Sequence, residues 1–298
     1  MATPDSVDAV IDPCPLCGQR VADPVSSTPY NDIFAALRAQ FGAGIDDELE
    51  RRYSPSDNAD EYRCTDCGLQ YFSPMNPAGP DFYDALASSD RYYRSDRWEY
   101  SLALATAGDP PARVLDVGCG RGDFLALAMA RSHSVMGVET NPDAHPYLEQ
   151  QGIGFHSGDI ADLDGQFDLI CAFQVFEHLA AIDTLLMPAL DRLAPGGTIF
   201  ASVPNRQRLD AHPRLEPLDS PPHHVSRWSP AQFHELARRR NLQVDAVHRQ
   251  RKSVASTLKV IAHRTVGRSR DMPGGPTWRG IARRASLANT MAVELRRG

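Results

Sequence analysis

No apolar run in this 298-residue chain approaches the roughly 20 residues that a helix needs to span a bilayer; FLALAMA at 124–130 is far too short. The first residues, MATPDSVDAVIDP, lack the basic and apolar segments of an export signal. Internal repeats are missing too. These absences predict a cytoplasmic protein without a membrane span. Composition is otherwise ordinary, with 42% apolar residues, and the length suits one large α/β domain with a small appendage.

Charge is unevenly spread. From Arg249 to Gly298 there are twelve Lys and Arg against two acids, Asp271 and Glu294, so that stretch carries +10 and the rest −17 of a net −7. A basic tail on an acidic body fits an anionic partner, or pairing with its own body or with a second copy in a homodimer. Apart from Trp278, the tail lacks the interleaved aromatics of a base-stacking surface, which disfavours nucleic acid.

Alternation dominates the middle of the chain. ARVLDVG, HSVMGVE, GIGFHSGD, QFDLICAF, TIFASVPN and LQVDAVH read as strands; DFLALAMAR, NPDAHPYLEQQ, LAAIDTLLMPALDRL and SPAQFHELARRR read as helices between them. The pattern predicts an α/β fold, a doubly wound parallel sheet with helices on both faces. Upstream, NDIFAALRAQF at 31–41 predicts a helix with Ile33, Phe34 and Leu37 on one face, MNPAGP at 75–80 a linker, and the aromatic stretch 82–105 helices leading into the main domain.

VLDVGCGRGDF at 114–124 places Gly118, Gly120 and Gly122 in a turn after the first strand of that sheet, where doubly wound folds bind ligands. A dinucleotide fingerprint would need its last glycine at Asp123. Asp116, just before the turn, would repel a pyrophosphate but attract an ammonium. Glu139 ends the second strand, nineteen residues after Gly120, where an acid can hold both ribose hydroxyls, and Asp159 ends the third, where it can take an adenine amino group. An amino acid, a ribose and an adenine without phosphate describe S-adenosylmethionine.

VLDVGCGRG, GVE, GDI, FDLICAFQVFEHL and LAPGGTIFASVPN, in that order over about 112–250, resemble the class I S-adenosylmethionine-dependent methyltransferases, in particular the branch of ubiquinone-type O-methyltransferases and bacterial sugar and natural-product methyltransferases. The resemblance implies a seven-stranded Rossmann-like sheet. It implies that Asp116, Gly118 and Gly120 line the methionine part, Glu139 the ribose, Asp159 with Ile160 the adenine, and that Gln174 lies beside the methionine end. Gln174 stands where the branch has a glutamate before the Glu177-His178 pair, a pair that takes part in divalent-metal binding in some relatives.

Two CxxCG knuckles, Cys14–Cys17 and Cys64–Cys67, can bring four thiolates to one structural zinc ion. Cys119 and Cys171 read as packing residues. The knuckles with YRCTDCGLQYFSPMNP and the tyrosines of RYYR resemble the N-terminal part of bacterial sugar and secondary-metabolite methyltransferases. Three units follow: a zinc-binding module over 1–80, a methyltransferase domain with N-terminal lid helices over 81–250, and a basic helical tail over 251–298.

Transfer to a hydroxyl needs a base, and His178, His223 and His224 are the candidates at the carboxyl ends of the strands. PPHHVSRWSP predicts a rigid loop with its histidine pair exposed to the cleft. The place where nucleobase amine methyltransferases carry Asn/Asp-Pro-Pro-aromatic reads FQVFE here, and no loop cysteine is placed for cytosine C5 chemistry. The expected acceptor is a hydroxyl of a sugar or natural product. The alternatives are an RNA methyltransferase with a zinc module and a C-methyltransferase of a nucleotide-linked sugar.

Overall fold

A computed structural model describes residues 11–20, 23–42, 44–87, 97–207, 216–250 and 290–298. The N-terminal part is β1 (Ser26–Pro29), α1 (Tyr30–Phe41), α2 (Asp47–Tyr53), β2 (Asn58–Arg63) and β3 (Gln70–Ser73). Two helices follow, α3 (Pro80–Ala87) and α4 (Trp98–Thr106). The alternating region runs β4 (Arg113–Val117), α5 (Asp123–Met129), β5 (Ser134–Val138), α6 (His145–Gln150), β6 (Phe155–His156), β7 (Phe167–Phe173), α7 (Asp183–Asp191), β8 (Leu193–Pro204), β9 (Ser226–Arg227), α8 (Pro230–Arg239), β10 (Leu242–Arg249) and β11 (Thr290–Arg297).

The main sheet has seven strands in the order β10-β11-β8-β7-β4-β5-β6. β4 pairs in parallel with both β5 and β7, so the order reverses at β4 and its carboxyl end is the switch point where doubly wound sheets bind ligands. β7, FDLICAF, is buried at six of its seven positions, the near-continuous apolar run expected of a strand covered on both faces.

One expectation fails here. Residues 290–297, read as part of a helical tail, form β11, which pairs antiparallel with β8 and β10 inside an otherwise parallel sheet. Met291, Val293 and Leu295 alternate into the core with no exposed area, and that period of two outweighs the basic ends of the segment. Residues 251–289 lie outside the described residues. α7 is also shorter than LAAIDTLLMPALDRL suggested, and β8 begins at Leu193, before the PGG.

The second sheet is β1-β2-β3-β9, antiparallel, and its last strand comes from the loop after β8. The knuckle residues Cys14, Leu16, Cys64, Cys67, Leu69 and Tyr71 share one hydrophobic core with Leu115, Phe176, Trp228 and Phe233 of the main region. A satellite core joins Ile33, Phe34 and Leu37 of α1 to Tyr53, Phe72 and Phe82. Capping sets several boundaries: Asp46 accepts from Leu49 N at the start of α2, and Ser229 with Gln232 forms a capping box around Pro230 at the start of α8. Among the described residues no helix is long and apolar enough to cross a membrane.

Candidate active site

At the switch point the chain leaves β4 through Asp116 and enters the glycine turn. Gly118 and Gly120 take φ of 69° and 53°, the left-handed region that penalises side chains. A Cβ on Gly118 would come 3.2 Å from Val175 Cγ2, whereas one on Gly120 would meet nothing within 4 Å. The bare backbone at Gly120 therefore borders open space, the cradle expected for a ligand.

Asp116 is 3% exposed, its Oδ1 has no hydrogen-bond partner, and burial raises its carboxyl well above the ordinary carboxylate range, with the Arg97 guanidinium pulling it back. The Glu139 carboxylate accepts from Gly120 N at 2.7 Å and Asn141 N at 2.8 Å, tying the turn after β5 to the glycine turn. Asp159 is exposed and caps the turn Ile160–Asp162, accepting from Ala161 N at 2.9 Å, while Ile160 is buried. Acids at three successive strand ends, one of them buried with an unpartnered oxygen, fit an amino-acid nucleoside and not a pyrophosphate.

Gln174, directly after β7, has φ of 59°, an uncommon conformation for a non-glycine residue. Its backbone N–H donates to Ser202 O at 2.8 Å and its side-chain amide to Ser202 Oγ at 3.2 Å. The next residue, Val175, lies against Gly118 and leads into the turn Phe176–His178. The cofactor-side turn and the Glu177-His178 pair are therefore adjacent.

His178, His223 and His224 come together. Ring centroids are 4.8 Å apart for His178–His223 and for His178–His224, and 4.4 Å for the stacked His223–His224 pair. His178 Nδ1 lies 2.5 Å from the carbonyl oxygen of His223 and 3.0 Å from the Tyr83 hydroxyl. His223 Nδ1 lies 2.8 Å from the Leu218 carbonyl, and His224 Nδ1 3.0 Å from Asp219 Oδ1. Burial pushes the His178 imidazole down to about 4 and lowers His223 well below its ordinary value, helped there by its imidazole neighbours. Burial pushes the Glu177 carboxyl up to about 8. Contrary to expectation, the 223–224 pair is not open to the cleft; each residue is 5% exposed, covered by Phe82, Tyr83 and His178.

The sequence did not single out Tyr83, Arg97 or Asp219. Tyr83 is carried by α3, whose Phe82 inserts edge-on between Phe34 and Tyr53. Arg97 precedes α4 and lowers both Asp116 and Glu177. The linking residues 88–96, which include the RYYR tyrosines, lie outside the described residues.

In the knuckles, Cys14 Sγ is 3.5 Å from Cys67 Sγ and Cys17 Sγ 3.3 Å from Cys64 Sγ, and all four sulfurs lie within 4.8 Å of one another. Tetrahedral zinc with Zn–S of about 2.3 Å separates sulfurs by about 3.8 Å, so the set fits that ion. Gly18 N and Gly68 N close the two turns onto Cys14 O and Cys64 O. Burial pushes the Cys17 thiol up to about 12, and a bound cation would favour its thiolate. Cys119 and Cys171 are buried in the packing against β4 and β7.

A profile described as "Methyltransferase domain" matches residues 90–247, more than half of the chain. The protein belongs to this methyltransferase family. Among its curated relatives, a trans-aconitate 2-methyltransferase of Methylobacterium nodulans is 30% identical over 41% of this chain and 49% of that protein. A ubiquinone biosynthesis O-methyltransferase of Xanthomonas campestris pv. campestris is 32% identical over 33% of this chain and 45% of that protein. This methyltransferase thus spans about half the length of the curated relatives it matches. A methyltransferase solved in complex with the Haloferax volcanii Trm112 methyltransferase activator superposes with a TM-score of 0.53, at 22% identity, over 74% of this chain and 97% of that one, which establishes the fold.

Proposed function

We propose that this methyltransferase moves the methyl group of S-adenosylmethionine to a hydroxyl of a small-molecule acceptor of the sugar or natural-product class. The observation that carries this reading is the contact of Val175 with Gly118, which sets the glycine cradle beside the turn bearing Glu177 and His178. The sulfonium of the cofactor supplies an electrophilic methyl; everything else falls to the chain. Asp116 would balance the ammonium, Glu139 would hold the ribose hydroxyls, and Asp159 with Ile160 N–H would meet the adenine edge. Gln174 would line the passage between the two sides. On the acceptor side, a neutral imidazole of His178, His223 or His224 would take the hydroxyl proton as the oxygen attacks. The names of the trans-aconitate and ubiquinone relatives support a small acceptor. One zinc ion held by Cys14, Cys17, Cys64 and Cys67 would be structural, because four protein ligands leave no open position.

The test is a mass-spectrometric screen of sugar nucleotides and phenols with methyl-labelled cofactor. Against the acceptor it finds, His178→Ala and His224→Ala should lower the maximal rate by roughly 10²–10⁴-fold while S-adenosylhomocysteine affinity stays near normal. Methylation of RNA alone, with a steep salt dependence, would overturn the small-acceptor reading.

A further inference from the structure

We infer that Ser202 and Glu99 are positioning residues that fix the polarity of the Gln174 side chain, so that its amide oxygen and not its NH2 meets a bound ligand. Gln174 is held at three points. Its backbone N–H donates to Ser202 O at 2.8 Å, its side-chain nitrogen donates to Ser202 Oγ at 3.2 Å, and its backbone carbonyl accepts from the His178 ring. A non-glycine residue at φ of 59° persists only where its surroundings over-determine it, and these three bonds do so. Ser202 lies on β8 with no exposed area, and its Oγ is 3.4 Å from Oε1 of Glu99. Glu99 stands in the first turn of α4 and is 3% exposed.

The direction of the bonds along this chain follows from what each group can do. A carboxylate only accepts. The Ser202 hydroxyl has one hydrogen, and the Glu99 charge draws it, which leaves the lone pairs of Oγ for Gln174. Only the NH2 end of the amide can donate to them, so the oxygen end is turned away from β8. An amide flipped through 180° has almost the same shape, and without the carboxylate either end could face outward. The charge of Glu99 is felt nearby: after burial, it is among the causes that raise the Glu177 carboxyl and the Tyr100 phenol. Gln174 stands between the glycine turn, which Val175 touches, and His178. An oxygen offered there selects a ligand that brings an N–H or O–H group, whether the ammonium of the cofactor or the hydroxyl of the acceptor. For that consequence, and only for that, the inference rests on the methyl-transfer reading.

The test begins with wild-type full-length protein labelled with ¹⁵N-glutamine, which needs no variant and no ligand. Nuclear Overhauser contacts should join the Gln174 NH2 protons to the Ser202 side chain; their absence overturns the inference. Ser202→Ala and Glu99→Gln should each move that NH2 signal, and a signal unmoved in both overturns it too. Gln174→Glu sets two carboxylates about one hydroxyl hydrogen and should weaken ligand binding roughly 10–100-fold. The exchange Glu99→Gln with Gln174→Glu should recover most of that loss. The hydroxyl then accepts from position 99 and donates to position 174, and an oxygen again faces the ligand. A purely structural role predicts the opposite, losses that add. Additive losses overturn the inference. A changed S-adenosylhomocysteine affinity in this series identifies the cofactor ammonium as the donor, and a changed acceptor KM at constant affinity identifies the acceptor hydroxyl. If the wild type binds no S-adenosylhomocysteine, the methyl-transfer reading falls, and the NH2 contacts and shifts still decide whether the chain sets the amide.

Discussion

At the scale of single residues, the Asp116 carboxyl sits where a charge is costly, buried at the end of β4 with one oxygen unpartnered. In a cofactor-binding role, the part of that cost that Arg97 leaves is offset when an ammonium arrives. Asp116→Asn should therefore raise the melting temperature of the ligand-free protein by roughly 2–4 °C for each kcal/mol relieved. It should weaken S-adenosylhomocysteine binding by about 10–100-fold, the scale of a lost charged hydrogen bond. The sign with pH follows from the direction of the shift. Burial raises the carboxyl in the folded chain above its ordinary 3.8, so the native state holds that proton more tightly. Its stabilising effect is complete below that ordinary value and is lost as pH rises. The stability gap between variant and wild type should open above about pH 4 and close below it, measured by thermal melts across pH.

Among elements, the glycine turn separates two demands that look alike in sequence. Gly118 is needed for packing, since an added Cβ would press Val175, and Gly120 borders open space. Gly118→Ala should lower both stability and product affinity. Gly120→Ala should cost about 1–2 kcal/mol of backbone strain and lower affinity disproportionately, because its methyl enters the cradle. Equal losses of affinity per degree of melting in the two variants would remove the cradle argument. This turn, the acids at 116, 139 and 159, and the cysteine knuckles were all legible in the sequence, because each is a local pattern with its own chemistry. Tyr83, Arg97 and Asp219 were not. Tyr83 reaches the site through long-range packing, α3 by way of Phe82 in the satellite core, while Asp219 bonds His224 across five residues of one loop, a spacing that no motif marks. The burial of the histidine pair was missed for the same reason: prolines in a loop signal rigidity but not what covers it. β11 escaped because a lone antiparallel strand is joined to its neighbours only across the sheet, and its ends are basic.

In the molecule as a whole, the cysteine knuckles and the histidine loop are mechanically joined. β9 leaves the histidine loop and pairs with β3 directly after the second knuckle, Tyr71 opposite Ser226. Arg227 carries the same link inward: it forms a buried ion pair with Glu61 of β2 at 2.7 Å and lies over Phe72. Gln232 of α8 donates to Cys67 O at 3.2 Å, and Arg239 pairs with Asp66 between the knuckle cysteines. None of these polar contacts touches Asp116 of β4 or the turns after β5 and β6 that carry Glu139 and Asp159; the knuckles meet β4 only through the shared apolar core with Leu115 and Val117. Loss of zinc should therefore loosen β3, β9 and the histidine pair first, and the glycine turn last. Cys64→Ser protein should lose its zinc, show faster hydrogen exchange at 70–73 and 224–227, and keep slow exchange at 114–117. Acceptor turnover should fall well before S-adenosylhomocysteine affinity does. If exchange quickens evenly over both sheets, the staple supports the whole fold; if it quickens nowhere, the histidine loop holds itself and the coupling through β9 is wrong.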